Sequence, residues 1–190
     1  MSDAARQIRD MTYPAPLTAD ELLRLNLPNR RTELIEGRLV VREPAGFRHG
    51  DVAMALGTLL SNYVRAHELG RVVAAETGFK LASNPDTVRA ADVAFVQRDR
   101  VPQPLPENYP AMAPDLAVEV LSPGDRPDEV LSKVGNWLEA GTGLVWVVDP
   151  DRREARVYRA DGSVSMVSES DSLQGEDVLP GFVCALAAVL

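Results

Sequence analysis

The chain has 190 residues, of which 45% are hydrophobic and 25% are charged. A globular protein of this size and composition can bury its own apolar core, so folding requires neither a metal nor a disulfide. Cys184 is the only cysteine, which excludes an intramolecular disulfide, and the net charge of −8 argues against nucleic-acid binding driven by overall charge. Charged residues interrupt the N-terminus and no apolar run reaches about 18 residues. We therefore expect a cytoplasmic protein without a secretory signal or a membrane span.

The first part of the chain predicts a tail, a short helix and a hairpin. Residues 1–16 are polar and contain two prolines, which predicts a flexible tail, and residues 17–190 are predicted to form a single domain. Thr18 and Glu21 have the spacing of a capping box and predict a helix that begins there. Residues 33–41 form two β-rich runs around a two-residue turn, which predicts a hairpin.

The rest of the chain alternates between helical and strand patterns. Apolar or small residues form a helical stripe over residues 48–69, a second helix is predicted at about 127–140, and a short terminal helix is predicted after residues 179–181. The predicted strands are 71–75, 78–81, 88–96, 115–121, 144–148, 155–158 and 163–167. This order predicts an α/β (α+β) fold, in which a mixed β-sheet has a long helix on one side, a shorter helix near its centre, and added hairpins.

Two carboxylates inside predicted strands are the first chemical signal. Glu119 points away from the face that Val118 and Val120 share, in a strand whose other residues are apolar. A carboxylate there loses its hydration, so it must be protonated, paired with a cation or bound to a metal. Asp92 lies in an earlier strand and raises the same question. Two carboxylates on neighbouring strands would supply oxygen ligands for Mg²⁺, with Mn²⁺ as a substitute.

A cation beside such a pair would complete a hydrolytic site, and the chain has only two lysines, Lys80 and Lys133. Lys133 lies three residues after Val130 and four before Trp137, at the edge of the apolar face of the predicted helix. From that edge its ammonium group can reach a carboxylate of the sheet. Lys80 is the rival candidate, and its strand position favours a side chain that faces solvent.

Several short motifs occur in the order typical of one bacterial family. They are Glu33-Leu34-Ile35-Glu36-Gly37, His49, Ala91-Asp92-Val93, Pro114-Asp115-Leu116, Glu119-Val120-Leu121-Ser122-Pro123, Lys133 through Gly141, Trp146-Val147-Val148-Asp149-Pro150 and Leu179-Pro180-Gly181. Over about residues 18–186 the chain resembles the Uma-type restriction endonucleases of the PD-(D/E)XK nuclease superfamily. The resemblance implies a restriction-endonuclease-like fold and a Mg²⁺-dependent endonuclease that hydrolyses double-stranded DNA. It is also compatible with a homodimer, since cutting both strands often uses two sites.

The same resemblance implies roles for individual residues. Asp92 and Glu119 would be the metal ligands, and Lys133 would be the catalytic lysine. In the wider superfamily that lysine usually lies two residues after the acidic residue, where this chain has Leu121. The resemblance therefore assigns the role to the helix. Trp137 stands where the family commonly has tyrosine.

Glu33 and His49 also match the family and would support the site. We expect His49 to lie beside the metal ligands or to begin the long helix, rather than to be a ligand itself. The pair Arg30-Arg31 would ordinarily be solvated, although it could contact phosphates if it flanked the site.

Other interpretations stay open at this point. Glu119 could pair with one of the 18 arginines, Asp92 could end a strand, and Lys133 could be an ordinary helix residue. The acidic net charge and the lack of a basic stripe favour an alternative function, that of a non-catalytic nucleic-acid-binding or regulatory module with a nuclease fold. A small-molecule hydrolase using Asp92 and His49 has less support, because no G-x-S-x-G motif occurs.

Overall fold

We describe a computed structural model of the protein, which covers residues 15–25 and 30–190. The predicted tail lies outside the described residues, apart from its last two positions. The α-helices in the described ranges are α1 (Ala19–Arg24), α2 (Phe47–Ala66) and α3 (Pro127–Glu139). The strands are β1 (Arg31–Ile35), β2 (Arg38–Arg42), β3 (Gly70–Ala74), β4 (Gly78–Ala82), β5 (Thr87–Ala90), β6 (Val93–Gln97), β7 (Leu116–Val120), β8 (Leu144–Asp149), β9 (Glu154–Arg159), β10 (Val164–Ser168), β11 (Ser172–Gln174) and β12 (Val183–Ala185).

The first helix and the first hairpin form as the sequence predicts. Thr18 and Glu21 make the capping box, in which the Glu21 N–H donates to Thr18 Oγ1 at 3.2 Å and the Thr18 N–H donates to Glu21 Oε2 at 2.8 Å. The turn between β1 and β2 needs a positive φ at both central residues, and it has 49° at Glu36 and 75° at Gly37. Glycine adopts that angle without strain, which explains its place in the turn.

The larger sheet has six strands in the order β10-β9-β8-β7-β6-β3. All its neighbours are antiparallel except β7 and β8, which are parallel and are connected through α3. Helix α2 covers one face of this sheet and α3 covers the other, so the strands between them are buried on both sides. This arrangement confirms the predicted mixed sheet with a long helix on one side, and it places the shorter helix on the opposite face. Within the described residues, no helix is both long and apolar enough to cross a membrane.

The second sheet is antiparallel, with the order β2-β1-β5-β4. The chain leaves it after β5 and enters the larger sheet at β6, passing through Ala91 and Asp92. The prediction of one continuous strand over residues 88–96 was therefore wrong. The two halves have different partners, since β5 pairs with β1 and β4 while β6 pairs with β3 and β7. Asp92 consequently lies at the junction between the two sheets.

The C-terminal segment also differs from the prediction. The predicted terminal helix is absent from residues 182–190, where β12 pairs with β11 and only a single 3₁₀ turn, Leu186–Ala188, follows. Burial alternates from residue to residue, with Phe182, Cys184 and Leu186 inside and Val183 outside. That period of two belongs to a strand rather than a helix. Cys184 is buried there, as the sequence predicts.

The burial of α2 against the sheet gives a stability prediction. Leu60 is 0% exposed whereas Leu59, its neighbour on the same helix, is 40% exposed. Leu60→Ala should lower the free energy of unfolding by about 3 kcal/mol, because it leaves a cavity in the core. Leu59→Ala should cost less than about 1 kcal/mol. Urea denaturation measures both, and equal losses would contradict this orientation of α2.

Candidate active site

Asp92, at the junction between the two sheets, and Glu119, in β7 of the larger sheet, reach the same pocket. Oδ2 of Asp92 accepts the backbone N–H of Val120 at 2.8 Å, which places this carboxylate beside the residue that follows Glu119. The two side chains line a pocket of about 480 Å³, and their residues are only 4% and 7% exposed. The two predicted acids therefore lie together at the bottom of an open pocket.

Glu119 points toward α3 because of the alternation along β7. Val118 and Val120 pack in the core under α2, so Glu119 emerges on the opposite face. There Lys133 Nζ donates to Glu119 Oε2 at 2.7 Å, and Trp137 Nε1 donates to Oε1 at 2.8 Å. Lys133 and Trp137 are four residues apart and thus share one face of α3. Trp137 fixes the carboxylate through its indole N–H.

Glu33 joins this group from β1. Its Oε1 accepts the Ala90 N–H at 3.0 Å and lies 3.3 Å from Lys133 Nζ, which also donates to the Ala90 carbonyl at 2.8 Å. Its Oε2 accepts a hydrogen bond from Arg89 Nη1 at 3.1 Å. Glu33 thus connects the smaller sheet to the lysine of α3.

Arg89 and Asn136 are site residues that sequence reasoning missed. Arg89 is only 1% exposed, and its Nε and Nη2 donate to Asn136 Oδ1 at 2.9 and 2.7 Å. The available signal was an arginine between Val88 and Ala90 in a strand of small and apolar residues. A buried guanidinium requires a carboxylate partner, and Glu33 is that partner.

Asp92 has two further partners. His49, the third residue of α2, places Nε2 at 3.1 Å from Asp92 Oδ2. Arg31, at the start of β1, donates from Nη2 to Asp92 Oδ1 at 3.0 Å. His49 therefore lies beside Asp92 at the beginning of the long helix. Arg31 belongs to the site rather than to a solvated basic pair, because only 24% of its side chain is exposed.

Lys80, the rival lysine, has a different role. Its Nζ lies 2.9 Å from Asp86 Oδ2, an atom that also accepts the Ala19 N–H at 2.8 Å. Lys80 therefore helps Asp86 to hold the start of α1 against the smaller sheet. It does not line the pocket that contains Asp92 and Glu119.

Three carboxylates lie near the ammonium group of Lys133, and two of them also pair with arginines, Asp92 with Arg31 and Glu33 with Arg89. Burial alone would lower the pKa of Lys133, but the charges of Glu119, Glu33 and Asp92 raise it. Burial raises the pKa of Glu119 to about 7, because the attraction of Lys133 does not offset burial and the repulsion from Asp92. Glu119 is therefore the carboxylate of the three that burial makes hardest to ionise.

The other two carboxylates are better compensated. Burial opposes ionisation of Asp92, but its contact with His49, and then the charge of Lys133, lower its pKa. Burial also opposes ionisation of Glu33, whose pKa is lowered by Lys133 and then by Arg89. Asp92 and Glu33 are thus ionised at neutral pH, and their charges contribute to the high pKa of Glu119.

This donor set fits Mg²⁺. Both oxygens of Glu119 and Oδ1 of Asp92 each accept one hydrogen bond within the described part of the chain, and a carboxylate oxygen can accept two. Each of these three oxygens therefore has one acceptor position left for a cation. No three His, Cys, Asp or Glu side chains among the described residues form a metal-binding group. Two carboxylates suit Mg²⁺, which keeps several waters, better than Zn²⁺, which takes three or four protein ligands.

Comparisons with known proteins agree with this fold and place the chain in a family. The crystal structure of "a putative nuclease belonging to DUF820 from Anabaena variabilis ATCC 29413" superposes with a TM-score of 0.80 over 92% of this chain and 97% of that chain. The identity is 21%, so this likeness shows the fold alone, and it confirms the predicted nuclease-like architecture. No curated protein matches the chain. The family model described as "Uma2: Putative restriction endonuclease" matches residues 19–187, and the chain therefore belongs to the Uma2 family.

Proposed function

We propose that the protein is a Mg²⁺-dependent endonuclease that hydrolyses phosphodiester bonds of double-stranded DNA, with Mn²⁺ as a substitute metal. The observation that carries the proposal is the group of buried carboxylates, Glu33, Asp92 and Glu119, around Lys133 in an open pocket. A group of buried charges is costly for folding, and buried groups with shifted pKa values are typical of functional sites. Membership of a family described as restriction endonucleases supports the same class of reaction.

In this proposal Asp92 and Glu119 hold the metal ion. A divalent cation bound there would supply Lewis-acid stabilisation of the phosphate charge and lower the pKa of a water ligand. The chain itself fixes the orientation of both ligands. Val120 N–H and His49 hold Asp92, while Trp137 N–H and Lys133 hold Glu119.

Lys133 supplies the ammonium group that faces the substrate. Its Nζ is anchored by short hydrogen bonds to Glu119 at 2.7 Å and to the Ala90 carbonyl at 2.8 Å. The longer contact, 3.3 Å to Glu33, leaves one N–H that can be exchanged for a phosphate oxygen or the attacking water. Lys133 would thereby orient the nucleophile and stabilise the charge that develops on the phosphate.

One observation favours a second candidate, a non-catalytic module with a nuclease fold. Each acid of the pair already has a cationic partner, Arg31 for Asp92 and Lys133 for Glu119. A site that has become purely structural would keep these ion pairs and bind no metal. Calorimetric titration with Mn²⁺ separates the candidates, because only the endonuclease should bind the ion in a manner that depends on Glu119.

The endonuclease proposal predicts the effect of single substitutions on DNA cleavage. With Mg²⁺ or Mn²⁺ present, Asp92→Asn, Glu119→Gln and Lys133→Met should each lower the rate of plasmid cutting by about 100-fold or more. Glu129→Gln is the matched control, since Glu129 lines the same pocket but is 42% exposed and pairs with Arg42. It should change the rate by less than about three-fold. Equal cutting by the wild type and Glu119→Gln would indicate a contaminating nuclease and contradict the proposal.

The high pKa of Glu119 predicts how metal affinity depends on pH. Below pH 7 the side chain must lose a proton before it can bind a cation, since its pKa is raised to about 7. The Mn²⁺ affinity should therefore fall about ten-fold for each pH unit below 7 and become constant above about pH 8. Isothermal titration across this range measures the profile, and Glu129→Gln should reproduce it. An affinity that is unchanged between about pH 6 and 8 would rule out Glu119 as a ligand.

A further inference from the structure

A second depression lies beside the pocket, between α2 and β3. We call it the α2 groove, and its volume is about 810 Å³. It shares part of its wall with the pocket of Asp92 and Glu119. The shared residues are Arg31, Pro44, Ala45, His49, Glu76 and Asp92. A chain-like ligand whose reacting group lies in the pocket can therefore continue directly into the groove.

The α2 groove has three arginines and several hydrogen-bonding side chains on a wall that is otherwise mostly apolar. The arginines are Arg30, Arg31 and Arg65, and α2 adds the hydroxyl and amide groups of Thr58, Ser61 and Asn62. Arg30 pairs with Glu43 and Arg31 with Asp92. Gly50 belongs to the same wall, and a Cβ there would contact nothing within 4 Å. The groove is therefore open to solvent at this point. Guanidinium, hydroxyl and amide donors are the groups that contact the phosphates and sugars of nucleic acids.

Arg31 lies where the pocket and the groove meet. Its Nη2 donates to Asp92 Oδ1 at 3.0 Å, and its Nε is 3.6 Å from Glu76 Oε1. The Glu76 side chain is 61% exposed, whereas that of Asp92 is 4% exposed. Arg31 therefore has one buried partner at the metal site and one exposed partner in the groove. A divalent cation bound by Asp92 would repel the guanidinium, while Glu76 would keep it at the groove wall.

We propose that the α2 groove holds the sugar–phosphate backbone of the DNA strand that enters the site. When the cation binds, Arg31 leaves its ion pair with Asp92 and binds a phosphate of that strand. The inference rests on the proposed function and extends it to the path of the substrate. Arg31 and Glu33 lie two residues apart in β1 and therefore point to the same face. One strand thus supplies a phosphate-binding residue to the groove and a carboxylate partner to Lys133.

DNA binding without cleavage tests the groove. A short fluorescein-labelled DNA duplex is titrated with each protein, once with Ca²⁺ and once with EDTA, and fluorescence anisotropy gives the affinity. Arg65→Ala should weaken DNA binding about three- to ten-fold in both conditions. It should also reduce the slope of log affinity against log salt concentration by about one, because one fewer counterion is released. Arg153→Ala is the control, because Arg153 pairs with Glu169 and lines neither depression. It should change the affinity less than about two-fold.

The same titrations test the exchange of Arg31. Arg31→Met should weaken DNA binding about three- to ten-fold with Ca²⁺ and less than about two-fold with EDTA, since Asp92 holds the guanidinium when no cation is bound. Without DNA, Arg31→Met should bind Mn²⁺ about five-fold more tightly than the wild type, because a competing positive charge has been removed. Unchanged or weaker Mn²⁺ binding by a variant that melts like the wild type would overturn the exchange.

The outcomes distinguish this inference from the proposed function. The wild type could cut DNA and bind Mn²⁺ while Arg65→Ala and Arg31→Met bind DNA as tightly as the control Arg153→Ala. In that case the α2 groove does not hold the DNA strand. If Arg65→Ala loses DNA affinity while the wild type neither cuts DNA nor binds Mn²⁺, the groove remains the DNA-binding site, but the exchange of Arg31 and the endonuclease proposal both fail. Arg65 is exposed on α2, so its substitution tests the groove even if Arg31→Met does not fold.

Discussion

The ammonium group of Lys133 lies among three carboxylates that come from three separate β-segments. Glu33 belongs to the smaller sheet, Glu119 to the larger sheet, and Asp92 to the junction where the chain crosses between them. Lys133 itself comes from α3, the connection between the parallel strands β7 and β8. This interaction therefore joins both sheets and a helix at one point. The position of each element around the pocket depends on it.

The charge balance at that point connects the fold to the proposed chemistry. Two of the acids have enough nearby positive charge to stay ionised, whereas burial and repulsion leave Glu119 with a pKa of about 7. A divalent cation bound there would favour the ionised form of Glu119. Arg31 provides part of the compensation for Asp92 when no metal is bound. Metal binding, proton release and the rearrangement of a phosphate-binding arginine would then be coupled at one site.

Local sequence patterns were sufficient to predict those features that depend on a single strand or helix. Alternation along β7 predicts that Glu119 faces away from Val118, and the helical period of α3 predicts that Lys133 can reach the sheet. The convergence of Asp92 with Glu119 was implied by family resemblance, since no local pattern fixes which strands are neighbours. The pairs Arg31–Asp92 and Arg89–Glu33 were missed for the same physical reason: their partners lie 61 and 56 residues away, and tertiary packing alone brings them together.

The most direct test of this account is the anomalous diffraction of crystals soaked in Mn²⁺. We expect an anomalous peak about 2.2 Å from carboxylate oxygens of both Asp92 and Glu119, with the Lys133–Glu119 contact retained. A peak at a surface carboxylate only, with the Arg31–Asp92 pair unchanged, would contradict the claim that these two buried acids form the metal site.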